Sequence, residues 1–472
     1  MIVALGAFTM SLRTVTDPDV WWHLRTGQLI WQNHALFRTD PYSFTRFGQP
    51  WINHEWLTDA LMYLIYRAGS WTALSVVFAV AASTALTVAY RRCDANASIS
   101  ALVTLWGAAA ALPSLGVRPQ VVSFLLASLF LRILDEAGPS RQLFWLVPLT
   151  LLWVNLHAGY AVGISLIVLY LIGVMSDAAL GFEPRENATP KLRSLFLVLL
   201  PSIAIIAFNP YGMKMYSYPF ETLHSQAMQS AIQEWASPNF HEIKHLPTFI
   251  LLLALLVLFA VQPRKVRPSQ MLLLLAGITG ALLSVRHIPL FVLVAIPIIS
   301  RLLQSCADEY GIMAQRRTQH SSSTHTAVIY GLLALVVMAF AIIRVLGITR
   351  RQAQDEATMF PQAATSFLSH YEVSGPLLNP YDWGGYLIWQ RYPSRLVFID
   401  GRADVYGDTL LNESVSTYYL RGDWYGSLEN WGITSALLPA HAPLVEGLKA
   451  RGWLEMYADS QAVILRQPSS SR

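Results

Sequence analysis

Long, nearly uncharged apolar runs recur from about residue 70 to about residue 347, and no other feature of this chain restricts its fold so strongly. In hydrocarbon every backbone N–H and C=O must find a partner within the chain, so such runs become helices that cross a bilayer. They read as spans at 70–90, 98–116, 119–136, 142–157, 160–180, 193–208, 246–262, 269–285, 287–304 and 325–347. A shorter run, "MIVALGAFTMSL" at 1–12, falls below spanning length, as a clipped start or a shallow helix would. A cleaved signal peptide would need a basic leading region and a small-residue cleavage site before Asp17, and neither is there. With 54% hydrophobic and 13% charged residues, the 472-residue chain carries too little charge for an ordinary soluble protein. The expected fold is an α-helical polytopic membrane protein of about eleven transmembrane helices.

A formal net charge of +4 raises the question of nucleic acid, but the positions of the charges argue for topology instead. Arg91 and Arg92, Arg141, the trio Arg185, Lys191 and Arg193, the cluster "PRKVRP" at 263–268, and Arg316 with Arg317 fall in alternate loops. The positive-inside rule makes those loops cytoplasmic. No nucleic acid partner is expected. The loops at 13–69, 116–119, 155–160, 209–245 and 285–288, and everything after 348, then lie on the other side. This describes a multi-pass protein of the cell inner (plasma) membrane, with a cytoplasmic N-terminus and an extracytoplasmic C-terminal domain. Cys93 and Cys306 both fall at cytoplasmic ends, so a reduced pair and no disulfide framework is expected.

The runs divide the chain into a transmembrane core, 1–349, and a C-terminal domain, 350–472. Within the core, 13–69 is a polar, aromatic first external loop and 209–245 a second long one. "DVWWHLRTGQLIWQN" and "HEWLTDALMYLIYRAG" have the helical spacing of interfacial helices. "QRRTQHSSSTH" reads as a cytoplasmic linker. After residue 350, "PLLNP", "GYLIW", "RLVFID", "SALLP" and "QAVILR" read as strands, while "MFPQAATSFLSHY" and "APLVEGLKARG" read as helices. That pattern predicts a small α/β domain.

Polar residues at span ends gather on the outer side. The first loop holds Asp17, Asp19, His23, Arg25, Asp40, His54 and Glu55. "GVRPQ" adds Arg118, "VNLHAGY" Asn155 and His157, "FNPYG" Asn209 and Tyr211, "QEWASP" Glu234 and Trp235, and "VRHIP" Arg286 and His287. Ionisable groups at membrane depth are costly and usually line a cavity or a substrate path. Each has a plainer reading. Trp21, Trp22, Trp51, Trp56 and Trp235 fit interface anchors, and Arg118, Arg286 and His287 fit snorkelling caps. Asn155 and Asn209 fit helix-end hydrogen bonders, and Asp17 and Asp19 fit N-caps. Their coincidence on one face favours a single site roofed by the first loop. Asp17 and Asp19, with His23 one turn on, have the ligand types for a divalent cation, magnesium or manganese.

An acid just after the first apolar run, an interfacial helix behind it, many spans and an external C-terminal domain resemble the GT-C class of integral membrane glycosyltransferases. That class includes oligosaccharyltransferases, protein mannosyltransferases and aminoarabinose transferases. Asp19 and Arg25 match the D-x-x-x-x-x-R spacing of the oligosaccharyltransferase first loop, and the resemblance implies that Asp19 is catalytic and a metal ligand. Arg118 matches the arginine of the second motif, but no acid follows it, so a second carboxylate would come from Asp17, Glu55 or Glu234. "NPYDWGGYLIW" resembles the W-W-D-Y-G motif of the external domain in its D-x-G core, Asp382 to Gly384. "FNPYG", "EWASP", "RHIPLF" and "VFIDGRADVYG" are similar to a group of bacterial membrane proteins with a GT-C-like core.

The resemblance implies transfer of a sugar from a polyprenyl-phosphate-linked donor to an extracytoplasmic acceptor, which is a glycan, lipid or protein. Asp19, with Asp17, would act as base or hold the metal, and Arg118, Arg286 and His287 would meet the donor phosphate. His23, Arg25, Trp22, His54, Glu55, Asn155, His157, Asn209, Tyr211, Glu234 and Trp235 would contact substrate. Asp382, Asp400 and Arg402 would do so from a lid formed by the C-terminal domain. Two other classes stay open: a transporter or flippase of a lipid-linked solute, and a non-catalytic assembly or sensor protein. A transporter would place polar residues through the middle of its spans, where they are scarce.

Overall fold

The computed structural model describes residues 1–135, 141–262, 266–310, 324–371 and 373–468, so Arg316, Arg317, most of "QRRTQHSSSTH" and the first half of "PRKVRP" lie outside the described residues. The chain folds as two compact units. One comprises Met1–Arg13, Ser75–Pro219 and Glu234–Ile348; the other comprises Thr14–Leu74, Phe220–Gln233 and Thr349–Arg472.

The first unit is helical, as the apolar runs require. Among the described residues of the chain, 7 helices are long and apolar enough to cross a membrane, which makes this a multi-pass membrane protein. Four of the expected spans are shorter: Ile2–Ser11, Gln120–Asp135, Leu146–Leu156 and Pro268–Leu283. At 1.5 Å per residue even a sixteen-residue helix measures roughly 24 Å, less than the ~30 Å of hydrocarbon. The helix Ile288–Glu309 packs against Ala97–Ala111 and Pro268–Leu283, and Pro268–Leu283 packs in turn against Tyr160–Ala179. Leu335, Val336 and Ile343 of the last long helix are exposed, as lipid-facing side chains would be.

The second unit is an α/β domain built on a four-stranded sheet. Its strands are β1 (Leu377–Leu378), β2 (Ser435–Pro439), β3 (Leu454–Ala458) and β4 (Ala462–Arg466), in the order β1-β2-β4-β3. β1 runs parallel to β2, and the other pairs are antiparallel. Side chains alternate across a strand, so β2 and β4 feed two cores. Ala436, Leu438, Val463 and Leu465 join Tyr406, Leu410, Leu428 and Leu448 on one face. Leu437, Ala462 and Ile464 join Tyr386, Leu387 and Phe360 on the other.

Trp21, Trp22, Tyr42 and Trp51 of the first loop belong to that second core. Three of the tryptophans read as interface anchors are therefore core residues of this domain. Two expected strands do not form: "GYLIW" lies within the helix Tyr381–Arg391, and "RLVFID" stays outside the sheet with one isolated bridge, Val397 to Ser43. Val397 pairs with the first loop instead, donating its N–H to the Tyr42 carbonyl at 3.0 Å and accepting from Phe44 N–H at 3.0 Å. The expected helices appear as Gln362–His370 and Pro443–Ala450.

Candidate active site

Within the second unit, Asp19 sits at the start of the helix Val20–Asn33, but its side chain does not cap that helix. One carboxylate oxygen accepts from the Trp22 indole N–H at 3.2 Å, and Asp17 accepts from the Asp19 backbone N–H at 2.8 Å. The Asp19 carboxylate lies against Gly401, where an added Cβ would fall 1.6 Å from Oδ1. Gly385 meets the same segment from the helix Tyr381–Arg391, with the Pro18 carbonyl 2.5 Å from where its Cβ would stand. These two glycines let the C-terminal domain close on the "TDPD" turn.

Acids crowd this point. Tyr381 donates to the Gly401 carbonyl at 2.8 Å; burial, then Asp19, Asp400, Asp382 and Asp404, push its phenol well above the usual range. Asp382 is exposed at the rim, where surrounding protein strips part of its solvation; that desolvation, then the charge of Asp17, raises its pKa. Asp17, Asp19, Asp382 and Asp404 thus share one partly accessible patch beside Tyr381. Tyr381 was not among the sequence candidates; its signal was its place in "YDWGG".

Behind this patch the polar groups are engaged with one another. His23, 3% exposed, holds Asp59 at 2.6 Å through Nδ1 and Glu55 at 3.5 Å through Nε2, and Glu55 also meets His54 Nε2 at 3.2 Å. Burial opposes a charge on His23, but Asp59, then Glu55 and Asp19, outweigh it and raise its pKa to about 9. Burial likewise opposes charge on His54, and Glu55 and Asp404 reverse it, so its pKa is also raised. Arg25 donates to the Trp389 and Tyr392 carbonyls at 3.0 and 2.7 Å, which caps the end of the helix Tyr381–Arg391. Trp22 is packed against His23, with ring centroids 3.6 Å apart.

Asp400 and Arg402 were expected to reach the acceptor, yet both are buried. Arg402 forms a two-pronged pair with Asp400, 2.8 and 2.7 Å, and a third contact to Asp40 at 2.8 Å. Its guanidinium also faces Tyr42 and Trp51, with 4.8 and 4.6 Å to the ring centroids. A group so enclosed cannot touch a bound molecule; it latches the first loop to the C-terminal domain. Asp382 is the lid candidate that remains at the surface.

The first unit gathers its own polar cluster. Arg118 pairs with Glu234, and Arg286 lies over the Trp235 ring at 5.3 Å. Ser284 donates to the Glu234 carbonyl at 2.8 Å, which ties the two loops together. His157 Nδ1 accepts the Gly159 backbone N–H at 2.9 Å and lies 2.7 Å from Ser123 Oγ. His157 Nε2 faces Arg286 Nη2 at 3.4 Å. A guanidinium beside an imidazole is a donor set that suits an oxyanion. Asn155, Asn209 and Tyr211 instead bind helix ends: Asn209 donates to the Val154 carbonyl at 2.8 Å and accepts from Tyr211 N–H at 2.9 Å. Asn155 donates to the Leu151 carbonyl at 2.9 Å. His287 stands next to Arg286, half-buried against Gly280.

Among the described residues no group of three or more His, Cys, Asp or Glu is arranged to hold an ion, and His23, the nearest nitrogen donor in sequence to Asp17 and Asp19, is engaged by Asp59 and Glu55.

The fold is that of the GT-C class of integral membrane glycosyltransferases. It is similar to the Archaeoglobus fulgidus oligosaccharyltransferase in its apo form, with TM-score 0.57 and 11% identity over 93% of this chain and 69% of that one. The archaeal oligosaccharyltransferase AglB from Archaeoglobus fulgidus, in complex with an inhibitory peptide and a dolichol-phosphate, gives TM-score 0.54 at 11% identity, again over 93% and 69%. ArnT from Cupriavidus metallidurans bound to undecaprenyl phosphate gives TM-score 0.48 and 13% identity over 99% of this chain and 97% of that one. No family model matches the chain, and no curated protein matches it by sequence.

Proposed function

We propose that this protein is a membrane glycosyltransferase that moves a sugar from a polyprenyl-phosphate-linked donor to an extracytoplasmic acceptor. The observation that carries the reading is the setting of Asp19. It is a half-buried carboxylate in the first loop, oriented by Trp22 and Gly401 rather than by its own helix terminus, within a fold that an oligosaccharyltransferase shares. Asp19 is the general base that takes the proton of the acceptor nucleophile, and Asp17 and Asp382 line the approach to it. A base in this role typically supplies about 10²–10⁴-fold in rate. His157, Arg286 and Arg118 receive the lipid phosphate, whose negative charge grows as the glycosidic bond breaks. The archaeal neighbour complex with a dolichol-phosphate supports that class of donor. Asp400, Arg402, His23 and Arg25 hold the first loop and C-terminal domain in place around the base.

The test is a transfer assay with the purified protein in nanodiscs, offered radiolabelled pentose and hexose monophosphates of undecaprenol together with a cell-envelope extract. Release of undecaprenyl phosphate coupled to labelled product is the expected result. A protein that binds these lipids and moves them across a bilayer without cleaving the sugar bond would instead be a flippase.

A further inference from the structure

The helix Trp424–Asn430 in the C-terminal part of the second unit divides two cavities that contain none of the residues assigned to transfer. The larger, about 410 Å³, takes Glu413, Arg421, Asp423, Trp424 and Asn430 into its wall. The smaller, about 210 Å³, takes Tyr425, Glu429, Thr434, Trp453 and Gln467. Adjacent aromatic residues of one short helix line the two cavities, with their rings edge to face and centroids 5.4 Å apart. Their rings are braced from outside: the Arg451 guanidinium lies 4.4 Å from the Tyr425 centroid and 5.8 Å from that of Trp424. Trp431 Nε1 donates to Glu413 at 3.0 Å, and the Gly426 N–H donates to Asp423 at 3.0 Å, so both carboxylates are held in orientation.

We propose that this face is a glycan-binding site, separate from the transfer centre. A pyranose ring has an apolar C–H face and a rim of hydroxyls. Trp424 and Tyr425 offer apolar ring surface to the first, and the carboxylates, the Asn430 amide and the Arg421 guanidinium offer paired acceptors and donors to the second. Charge selects against an anion, because Glu413, Asp423 and Glu429 outnumber Arg421 and Arg451 around the helix; the class is a neutral saccharide. An extended peptide is disfavoured because the cavities flank a helix and present no strand edge for main-chain pairing. Trp453, 4% exposed, has an indole N–H without a partner among the described residues, at the wall of the smaller cavity. Burying such a donor unpaired is unfavourable, and a ligand hydroxyl reaching that wall would satisfy it.

The inference does not depend on the transfer reaction. The test uses the full chain in nanodiscs free of sugar detergents, titrated separately with maltotetraose, mannotetraose, chitotetraose and an unglycosylated decapeptide, read by calorimetry. At least one tetrasaccharide should bind with Kd of about 1 mM or tighter. Trp424→Ala should weaken that binding at least tenfold, and so should the double variant Arg421→Ala/Asn430→Ala, whose two sites are exposed and whose melting temperature should match the parent, which covers the case in which Trp424→Ala misfolds. Asp19→Asn should bind as the parent does. Binding of none of the three tetrasaccharides, binding of the decapeptide alone, or saccharide binding that the double variant leaves unchanged would each overturn the assignment.

Discussion

Arg402 reads in "DGRAD" as a residue at the end of a strand, free to reach a ligand. In the folded chain it is enclosed between Asp40, Asp400, Tyr42 and Trp51. Removing one partner of such a pair strands the others: Arg402→Met should cost about 3–5 kcal/mol, because two carboxylates stay buried without their cation. Thermal unfolding in detergent measures it, and a shift no larger than that of an exposed arginine would refute the latch. His23 gives a pH signature. Its pKa rises from 6.5 to about 9 on folding. A raised folded pKa contributes stability that is complete below pH 6.5 and lost as pH climbs to about 9. The melting temperature should therefore fall across that window in the parent, and His23→Gln should flatten that part of the profile. Neither pairing was legible in the sequence, since hydropathy says that a polar residue is present but not which distant residue meets it.

The elements were legible where burial imposed a period. The long apolar runs became helices, and "SALLP" and "AVILR" became central strands buried along their length. "GYLIW" did not follow, because a five-residue apolar run fits a strand and a buried helix equally well. The helix wins because its two glycines let it settle between the Pro18–Trp22 segment and residues 399–400, a contact that only the tertiary fold supplies. β3 escaped notice because it is an exposed edge strand without apolar alternation. The same close approach makes Gly401→Ala informative. A methyl 1.6 Å from Asp19 Oδ1 forces that carboxylate to move. The substitution should cost about 1–3 kcal/mol of stability, as overpacking does, while transfer falls far more than folding. Equal losses in both would mean that the glycine serves only the fold.

Across the whole chain, the alternation of basic loops predicts a cytoplasmic N-terminus and an extracytoplasmic C-terminal domain. A reporter active only in the cytoplasm, fused after residue 472, should stay silent, and a strong signal would reverse the topology. The GT-C architecture was legible from span pattern, loop placement and the Asp19–Arg25 spacing together, although Arg25 caps a helix and no metal-holding group is arranged around Asp17 and Asp19 among the described residues. The division of the chain was less legible, because the first loop and residues 220–233 fold with the C-terminal segment into one unit, through contacts that hydropathy cannot report. The central claim is that Asp19 is the base of a sugar transfer. Asp19→Asn keeps the side-chain shape and an oxygen for the Trp22 N–H, so its melting temperature should match the parent. Its rate of undecaprenyl phosphate release from the lipid-linked sugar should drop by about 10²-fold or more. An Asp19→Asn variant that folds and transfers at the parent rate would contradict the account.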